Sequence, residues 1–322
     1  MKHVQQVHQR PHQWAHHVIG LPIIIAACAA LVVPGGNSAA GESTTPAASP
    51  GDNVSFFVIG KTWHFQQDSS GVHGPNDVHY FAEIFSKAGG HVSDGSMRLL
   101  APGAEPIPFD HESDNGAVLH ARDGKIHLNV ADLDAELPNG DYAFSFRTPT
   151  GDVTDFAVSF GTVGSVTDLP PPPTIQLAQG GAAANPQTVR AGEDLQISWT
   201  PFATGRADPN GIVDDLIFVM LEDCRGNRVY HSGRPLQTPN PLVEPGKPSA
   251  SWLTYTATQT TVPGAGLTPG MSYRLEVEIA KLMDTDRRDG VVGMSTYAAT
   301  THLNIQTAGE VKPGACPKPD ES

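Results

Sequence analysis

The sequence predicts an all-β protein with two β-sandwich domains, which are joined by a Pro-rich linker and preceded by an N-terminal signal peptide. Three observations favour this fold class. Charged residues make up only 17% of the chain, below the roughly 25% of a typical soluble domain. Gly and Pro are abundant, at 33 and 28 residues, as expected for a chain rich in turns. Apolar and polar residues alternate in several segments, and no long amphipathic helix is visible.

The first 40 residues are typical of a secretory signal peptide. Lys2 and Arg10 precede an apolar run from Val18 to Val33, and small residues follow it. A basic region, an apolar region and small residues before the cleavage point define such a signal. We expect cleavage after Ala39 or Ala40, which predicts an extracytoplasmic protein, either periplasmic or secreted.

Two alternatives concern the same segment. Ile25–Cys28 resembles the bacterial lipobox, in which the cysteine is lipidated and anchors the protein to a membrane. The apolar residues after Cys28 depart from the usual polar tether of that motif. The second alternative is an uncleaved anchor, although the apolar run is short for a membrane span.

Composition divides the remaining chain into segments. Small polar residues indicate a tether, and the four consecutive prolines Pro170–Pro173 indicate a stiff spacer. The predicted segments are a flexible tether (41–51), an N-terminal β-sandwich (52–162), a Pro-rich linker (163–173), a second β-sandwich (174–308) and a C-terminal tail (309–322).

In the first domain, Asp123-Gly124 predicts a type I′ hairpin turn. This register places four apolar residues on a buried face: Leu119, Ala121, Ile126 and Leu128. It places four polar residues on the exposed face: His120, Arg122, Lys125 and His127. Further strands are expected at Val54–Phe65, Tyr142–Phe146 and Phe156–Phe160, and Tyr80–Ala88 is the one stretch that fits a short helix.

The predicted hairpin suggests a metal site. His120 and His127 would face each other with Cβ atoms about 4.5–5.5 Å apart, and imidazole pairs suit Zn²⁺ or Cu²⁺. The alternative is a pair of exposed strand histidines that share no ligand. The acidic loop Asp208–Asp215 has oxygen ligands that suit Ca²⁺, although its Pro-Asn-Gly sequence is also ordinary turn chemistry.

The second domain carries a resemblance to a known family. The segment from Leu267 to Val277, with Pro269 and Tyr273 at matching positions, resembles the fibronectin type III pattern Leu-x-Pro-x-x-x-Tyr-x-x-x-Val. The resemblance implies an immunoglobulin-like sandwich with a tyrosine corner over residues 174–308. It implies a binding or spacing module and no catalytic residue.

The chain has three cysteines. Loss or lipidation of Cys28 would leave Cys224 and Cys316, which predict a disulfide in an oxidising compartment. Two free thiols are the alternative.

These features predict an exported, non-enzymatic binding or structural protein with a protein or glycan partner. The net charge of −14 argues against nucleic acid, because phosphate binding needs a basic surface, and membrane contact is expected only through a lipid at Cys28. The sequence lacks the G-x-S-x-G, His-Glu-x-x-His, Walker and Cys-x-x-Cys motifs. Two alternatives remain, a periplasmic metal-binding protein that uses histidines of the first domain and a hydrolase whose site the sequence does not reveal.

Overall fold

A computed structural model describes residues 48–87, 89–110, 118–120 (backbone only), 125–162, 165, 169–232 and 253–311. All of them fall within one compact unit that spans residues 47–322. The described residues form sixteen strands and one α-helix. The prediction of a mostly β protein is therefore confirmed.

The strands of the first half of the chain are β1 (Val54–Asp68), β2 (Gly71–Ser86), β3 (Ser93–Leu99), β4 (Ile107–Pro108), β5 (Val118–His120), β6 (Asp141–Thr148) and β7 (Gly151–Ser159). The helix α1 (Val130–Glu136) precedes β6. The strands of the second half are β8 (Ile175–Gln179), β9 (Ala182–Ala183), β10 (Leu195–Trp199), β11 (Leu216–Asp223), β12 (Arg228–His231), β13 (Leu253–Thr254), β14 (Gln259–Val262), β15 (Ser272–Arg288) and β16 (Val291–Gln306).

One large sheet contains strands from both halves of the chain. Its order is β12-β11-β15-β16-β1-β2-β5, with β13 beside β11. The halves meet where β1 and β16 pair in parallel, from Phe56 opposite Val292 to Gln67 opposite Leu303. Two four-stranded sheets, β4-β3-β6-β7 and β14-β10-β8-β9, complete the fold. The two predicted β-sandwiches therefore share the large sheet, whereas separate sandwiches would each have two sheets of their own.

Each small sheet has its own apolar core against the same face of the large sheet, which we call the inner face. The first core joins β1 and β2 to β6 and β7, with Phe57 and Phe144 stacked at 4.2 Å between ring centroids. The second core joins β10 to β11 and β15. β16 contributes Tyr297 to the first core and Leu303 to the second. Its 16 residues, at about 3.3 Å each, are long enough to reach both.

Two tyrosine corners mark equivalent positions in the two halves. The Thr268 N–H donates to the Tyr273 hydroxyl oxygen at 2.7 Å, as the fibronectin-like pattern implies. In the first half, the Tyr142 hydroxyl donates to the carbonyl oxygen of Pro138 at 2.7 Å. Both tyrosines are buried at the start of a core strand.

The predicted hairpin in the first half differs from the observed structure. Asp123-Gly124 lies outside the described residues, but the burial predicted for its flank is wrong, since Ile126 is 72% exposed and Leu128 is 79% exposed. Both flanks pair with β2, because β5 aligns with β2 and His127 forms an antiparallel bridge with Val78. The alternation of apolar and polar residues there comes from segments that both pair with β2, not from two strands that pair with each other.

The helix prediction at Tyr80–Ala88 is also wrong. The segment up to Ser86 belongs to β2, whose alternate residues Val78, Tyr80, Ala82 and Ile84 are buried in the first core. The observed helix α1 begins after Asn129, whose side chain accepts from the Asp132 N–H at 2.9 Å. Such an N-cap satisfies a backbone donor that the first turn leaves without an intrahelical partner.

Candidate functional site

The large sheet has a second face, opposite both cores, which we call the outer face. Near one end of β1 it is apolar, with Phe56, Val58 and Met294 in a buried cluster. Towards the other end of β1 the outer-face residues become polar. Because successive strand residues point to opposite faces, Thr62 and His64 belong to this outer face while Lys61 and Trp63 point into the first core.

Three titratable side chains meet on this polar part of the outer face. His64 of β1 lies opposite Asp77 of β2, and His79 follows two residues further along β2. The His64 Nδ1 atom is 2.7 Å from the Asp77 Oδ1 atom, and the His79 Nδ1 atom is 3.7 Å from the same oxygen. One ligand atom from each residue lies within 4.8 Å of the others. We call these three residues the outer-face cluster.

A fourth histidine borders the outer-face cluster. His302 of β16 has its ring centroid 5.0 Å from that of His64. Its Nδ1 atom is 3.3 Å from the Glu276 Oε1 atom, and the Arg274 Nε atom is 2.8 Å from the same oxygen. Titratable groups therefore run without a break across β2, β1, β16 and β15.

Burial changes the protonation of His64. Burial lowers the pKa of His64 to about 4, and its neighbour His79 acts in the same direction. His64 is therefore neutral at pH 7, the state in which an imidazole ligates a metal. The side chains of His64, Asp77 and His79 keep 19–26% of their surface exposed, so an ion can reach them from solvent.

Two imidazoles and one carboxylate form a ligand set that suits a transition metal such as Zn²⁺ or Cu²⁺. Ligand atoms that share a tetrahedral zinc at about 2.1 Å lie about 3.4 Å apart. The ligand atoms of the outer-face cluster lie within 4.8 Å of one another, which is close to that spacing. His302 or a water molecule would complete four-fold coordination.

The structure separates the predicted metal ligands His120 and His127. His120 lies opposite Glu83 of β2, and His127 lies opposite Val78 of the same strand. The Nε2 atom of His127 contacts the Glu136 Oε2 atom at 2.6 Å. The hairpin geometry from which the pair was predicted is therefore not the one observed.

The acidic loop Asp208–Asp215 is held by its own hydrogen bonds. The Asp208 carboxylate accepts from the backbone N–H groups of Ile212 and Val213 and from the Thr285 hydroxyl. Asp215 accepts from the backbone N–H of Leu282 at 2.8 Å. These bonds give the acidic residues a structural role, since oxygens that would ligate Ca²⁺ already accept protein donors.

Several predictions concern residues outside the described part of the chain. Cys224 lies in the turn after β11, but Cys316, Cys28 and the signal peptide fall outside it. The Cys224–Cys316 disulfide, the lipid anchor and the cleavage site therefore stay predictions. Among the described residues, no helix is long and apolar enough to cross a membrane.

Sequence reasoning missed the outer-face cluster because it predicted no strand between Phe65 and Tyr80, where β2 begins. A signal was present, however. Ser69 to Gly71 separates two alternating patterns, with Trp63 and Phe65 before it and the buried positions of β2 after it. Pairing those patterns as a hairpin brings His64 opposite Asp77.

Comparisons with known proteins add little to this geometry. No family model matches the chain, and no curated protein matches it. One of the matching solved structures is a "Biofilm associated protein - BSP domain", at 10% sequence identity and a TM-score of 0.18. The match covers 72% of this chain and 28% of that chain, so this chain spans little more than a quarter of its length.

Proposed function

We propose that the protein is an exported, non-enzymatic β-sheet protein that binds one Zn²⁺ or Cu²⁺ ion at His64, Asp77 and His79. The observation that carries this proposal is the convergence of three ligand atoms within 4.8 Å on an accessible sheet face. This moves the predicted metal function from His120 and His127 to a different set of histidines.

The surroundings of the cluster support a resident ion. The partly buried His64 imidazole does not need to lose a proton at pH 7, because its pKa is about 4. Acidic side chains lie two strands away from β1 in the same sheet, at Glu276 and Glu278 of β15. Their charge, when present, favours a divalent cation over an anion at this face.

The remaining parts of the proposal come from the sequence. The signal-peptide pattern of residues 1–40 supports a periplasmic or secreted location. The Tyr273–Thr268 hydrogen bond supports a fibronectin type III-like second half, and such modules serve as binding and spacing units. A protein or glycan partner is part of the same proposal, as is the lack of a catalytic role.

Native mass spectrometry of the purified protein tests the metal assignment. The protein is prepared without chelator and measured before and after addition of Zn²⁺, Cu²⁺ or Ca²⁺. We expect a one-to-one adduct with Zn²⁺ or Cu²⁺ and none with Ca²⁺. Loss of that adduct in His64→Ala, with retention in His91→Ala, would assign it to the cluster, because His91 is exposed and lies elsewhere.

A third variant separates the two candidate metal sites. If His127→Ala abolishes the adduct and His64→Ala does not, the originally predicted histidines bind the metal and the outer-face cluster does not. Absence of any adduct would contradict a metal function altogether.

A further inference from the structure

The first core contains a charged group that the proposed function does not use. Lys61 of β1 points to the inner face and has no solvent exposure. Its Nζ atom lies 2.6 Å from the Asp134 Oδ1 atom of α1 and 2.7 Å from the Asn139 Oδ1 atom. The same Nζ atom lies 5.3 Å from the ring centroid of Phe160. We call Lys61, Asp134 and Asn139 the inner-face triad.

Burial changes the chemistry of this lysine. Desolvation lowers the pKa of the Lys61 amine, although Asp134 acts in the opposite direction. A desolvated lysine exists more often as the neutral amine, which is the nucleophilic form. The carboxylate of Asp134 is placed to accept the proton that the amine gives up.

The third member of the triad is an electrophile held in a fixed orientation. Asn139 is 2% exposed, and its Nδ2 group donates to the backbone oxygen of Ser165 at 2.9 Å. This bond turns the Asn139 carbonyl oxygen towards Lys61. The carbonyl carbon is one bond behind that oxygen, so amine and amide are held as a reactant pair in a water-poor site.

We propose that Lys61 and Asn139 form an intramolecular isopeptide bond, with Asp134 as the proton carrier. Asp134 takes a proton from the Lys61 ammonium, and the resulting neutral amine attacks the Asn139 carbonyl carbon. The C–N bond to Nδ2 then breaks, and Nδ2 takes the proton from Asp134 and leaves as ammonia. Asp134 removes a second proton from the acylated Lys61 nitrogen and passes it to the ammonia, which departs as ammonium. One amine and one amide become one substituted amide and one ammonia molecule, and no oxidant or other reactant is needed.

This bond would fasten two layers of the first core to each other. Lys61 lies in the large sheet, and Asn139 lies two residues before the small-sheet strand β6, 78 positions away in the chain. A covalent link of that span removes conformational freedom from the unfolded chain, as a disulfide does. Unlike a disulfide, it would persist under reducing conditions, which suits a protein that must stay folded outside the cell.

Peptide mapping of the reduced, full-length protein tests the proposal. Trypsin does not cut after an acylated lysine, so the peptide that ends at Lys87 should contain an uncut Lys61. We expect it to be joined covalently to the tryptic peptide 126–147, with a combined mass lower by one ammonia than the sum of the two. In Lys61→Met the two peptides should separate, and the intact protein should show no ammonia loss.

The design excludes the main competing reaction. Asn139 precedes Gly140, and an Asn-Gly pair can also lose ammonia by forming a cyclic imide with its own backbone. That product would leave the two peptides unjoined and would persist in Lys61→Met. Either result, or an unmodified wild-type map, would overturn the proposal. The wild-type map decides this even if Lys61→Met does not fold, and Asp134→Asn should reduce the linked fraction in otherwise folded protein.

Discussion

His64 of the outer-face cluster and Lys61 of the inner-face triad lie three residues apart on β1. Their surroundings suit different chemistry. His64 keeps 24% of its side-chain surface exposed and faces two further ligand residues. Lys61 is fully enclosed and faces a carboxylate and an amide. Burial lowers the pKa of both groups. Accessibility and neighbouring atoms therefore distinguish a side chain that suits metal binding from one that suits nucleophilic attack.

The largest effect on stability is expected from the inner-face triad. Lys61→Ala should lower the free energy of unfolding by about 3–5 kcal/mol, because it opens a cavity in the first core and removes the contacts that Lys61 makes to Asp134 and Asn139. Urea denaturation measures this change. The exposed Lys125 supplies the control, and a loss in Lys61→Ala no larger than in Lys125→Ala would mean that the buried lysine does not support the core.

The next largest effect concerns metal affinity at the outer-face cluster. His64→Ala should weaken Zn²⁺ binding by more than the roughly 10–100-fold that removal of a group supporting a ligand costs. His302→Ala should weaken binding less, because His302 only borders the cluster. Competition titration against a chelating dye measures the Zn²⁺ affinity of each variant. Equal affinities in wild type and His64→Ala would show that His64 is not a metal ligand.

A smaller effect concerns pH dependence on the outer face. Burial raises the pKa of Glu278 to about 7, so the folded protein keeps this carboxyl protonated at a pH where the unfolded chain has lost the proton. The stability that Glu278 contributes is present at pH 4.5 and is lost as the pH rises through 7. Glu278→Gln removes this loss.

The variant Glu278→Gln should therefore match wild type near pH 4.5 and exceed it by about 1–2 kcal/mol at pH 8. Groups that face Glu278 are Thr300, which donates to it at 2.9 Å, Glu276 and His302. Thermal unfolding at several pH values measures the difference. The exposed Glu105 is the control, and a parallel profile for wild type and Glu278→Gln would contradict the raised pKa.

The smallest effect on stability is expected at the two tyrosine corners, one in each half of the fold. Tyr142→Phe and Tyr273→Phe should each cost about 1 kcal/mol, since each removes one hydrogen bond. Because the halves share β16 and the large sheet, both variants should shift the same single unfolding transition. Two transitions, each shifted by only one variant, would show instead that the halves unfold independently.

The sequence predicts individual strands well where alternation is regular. β6 and β7 overlap the predicted segments Tyr142–Phe146 and Phe156–Phe160. The tyrosine corner at Tyr273 was also predictable, because a local sequence pattern specifies it. These features depend on residues close together in the chain.

The rest of the fold depends on partners far apart in the chain. The parallel pairing of β1 with β16 joins residues more than 200 positions apart, and no local pattern specifies it. The predicted hairpin at Asp123-Gly124 shows the same limit, because alternation at His120 and His127 does not reveal that β2 is their partner. The proximity of His64 and Asp77 likewise follows only from the pairing of β2 with β1.

The metal assignment is tested most directly by anomalous diffraction at the zinc edge from crystals of the zinc-loaded full-length protein. We predict an anomalous peak within about 2.1 Å of a ring nitrogen of both His64 and His79, with an Asp77 carboxylate oxygen at a similar distance. A peak at His127, or the absence of a peak near His64, would contradict the assignment.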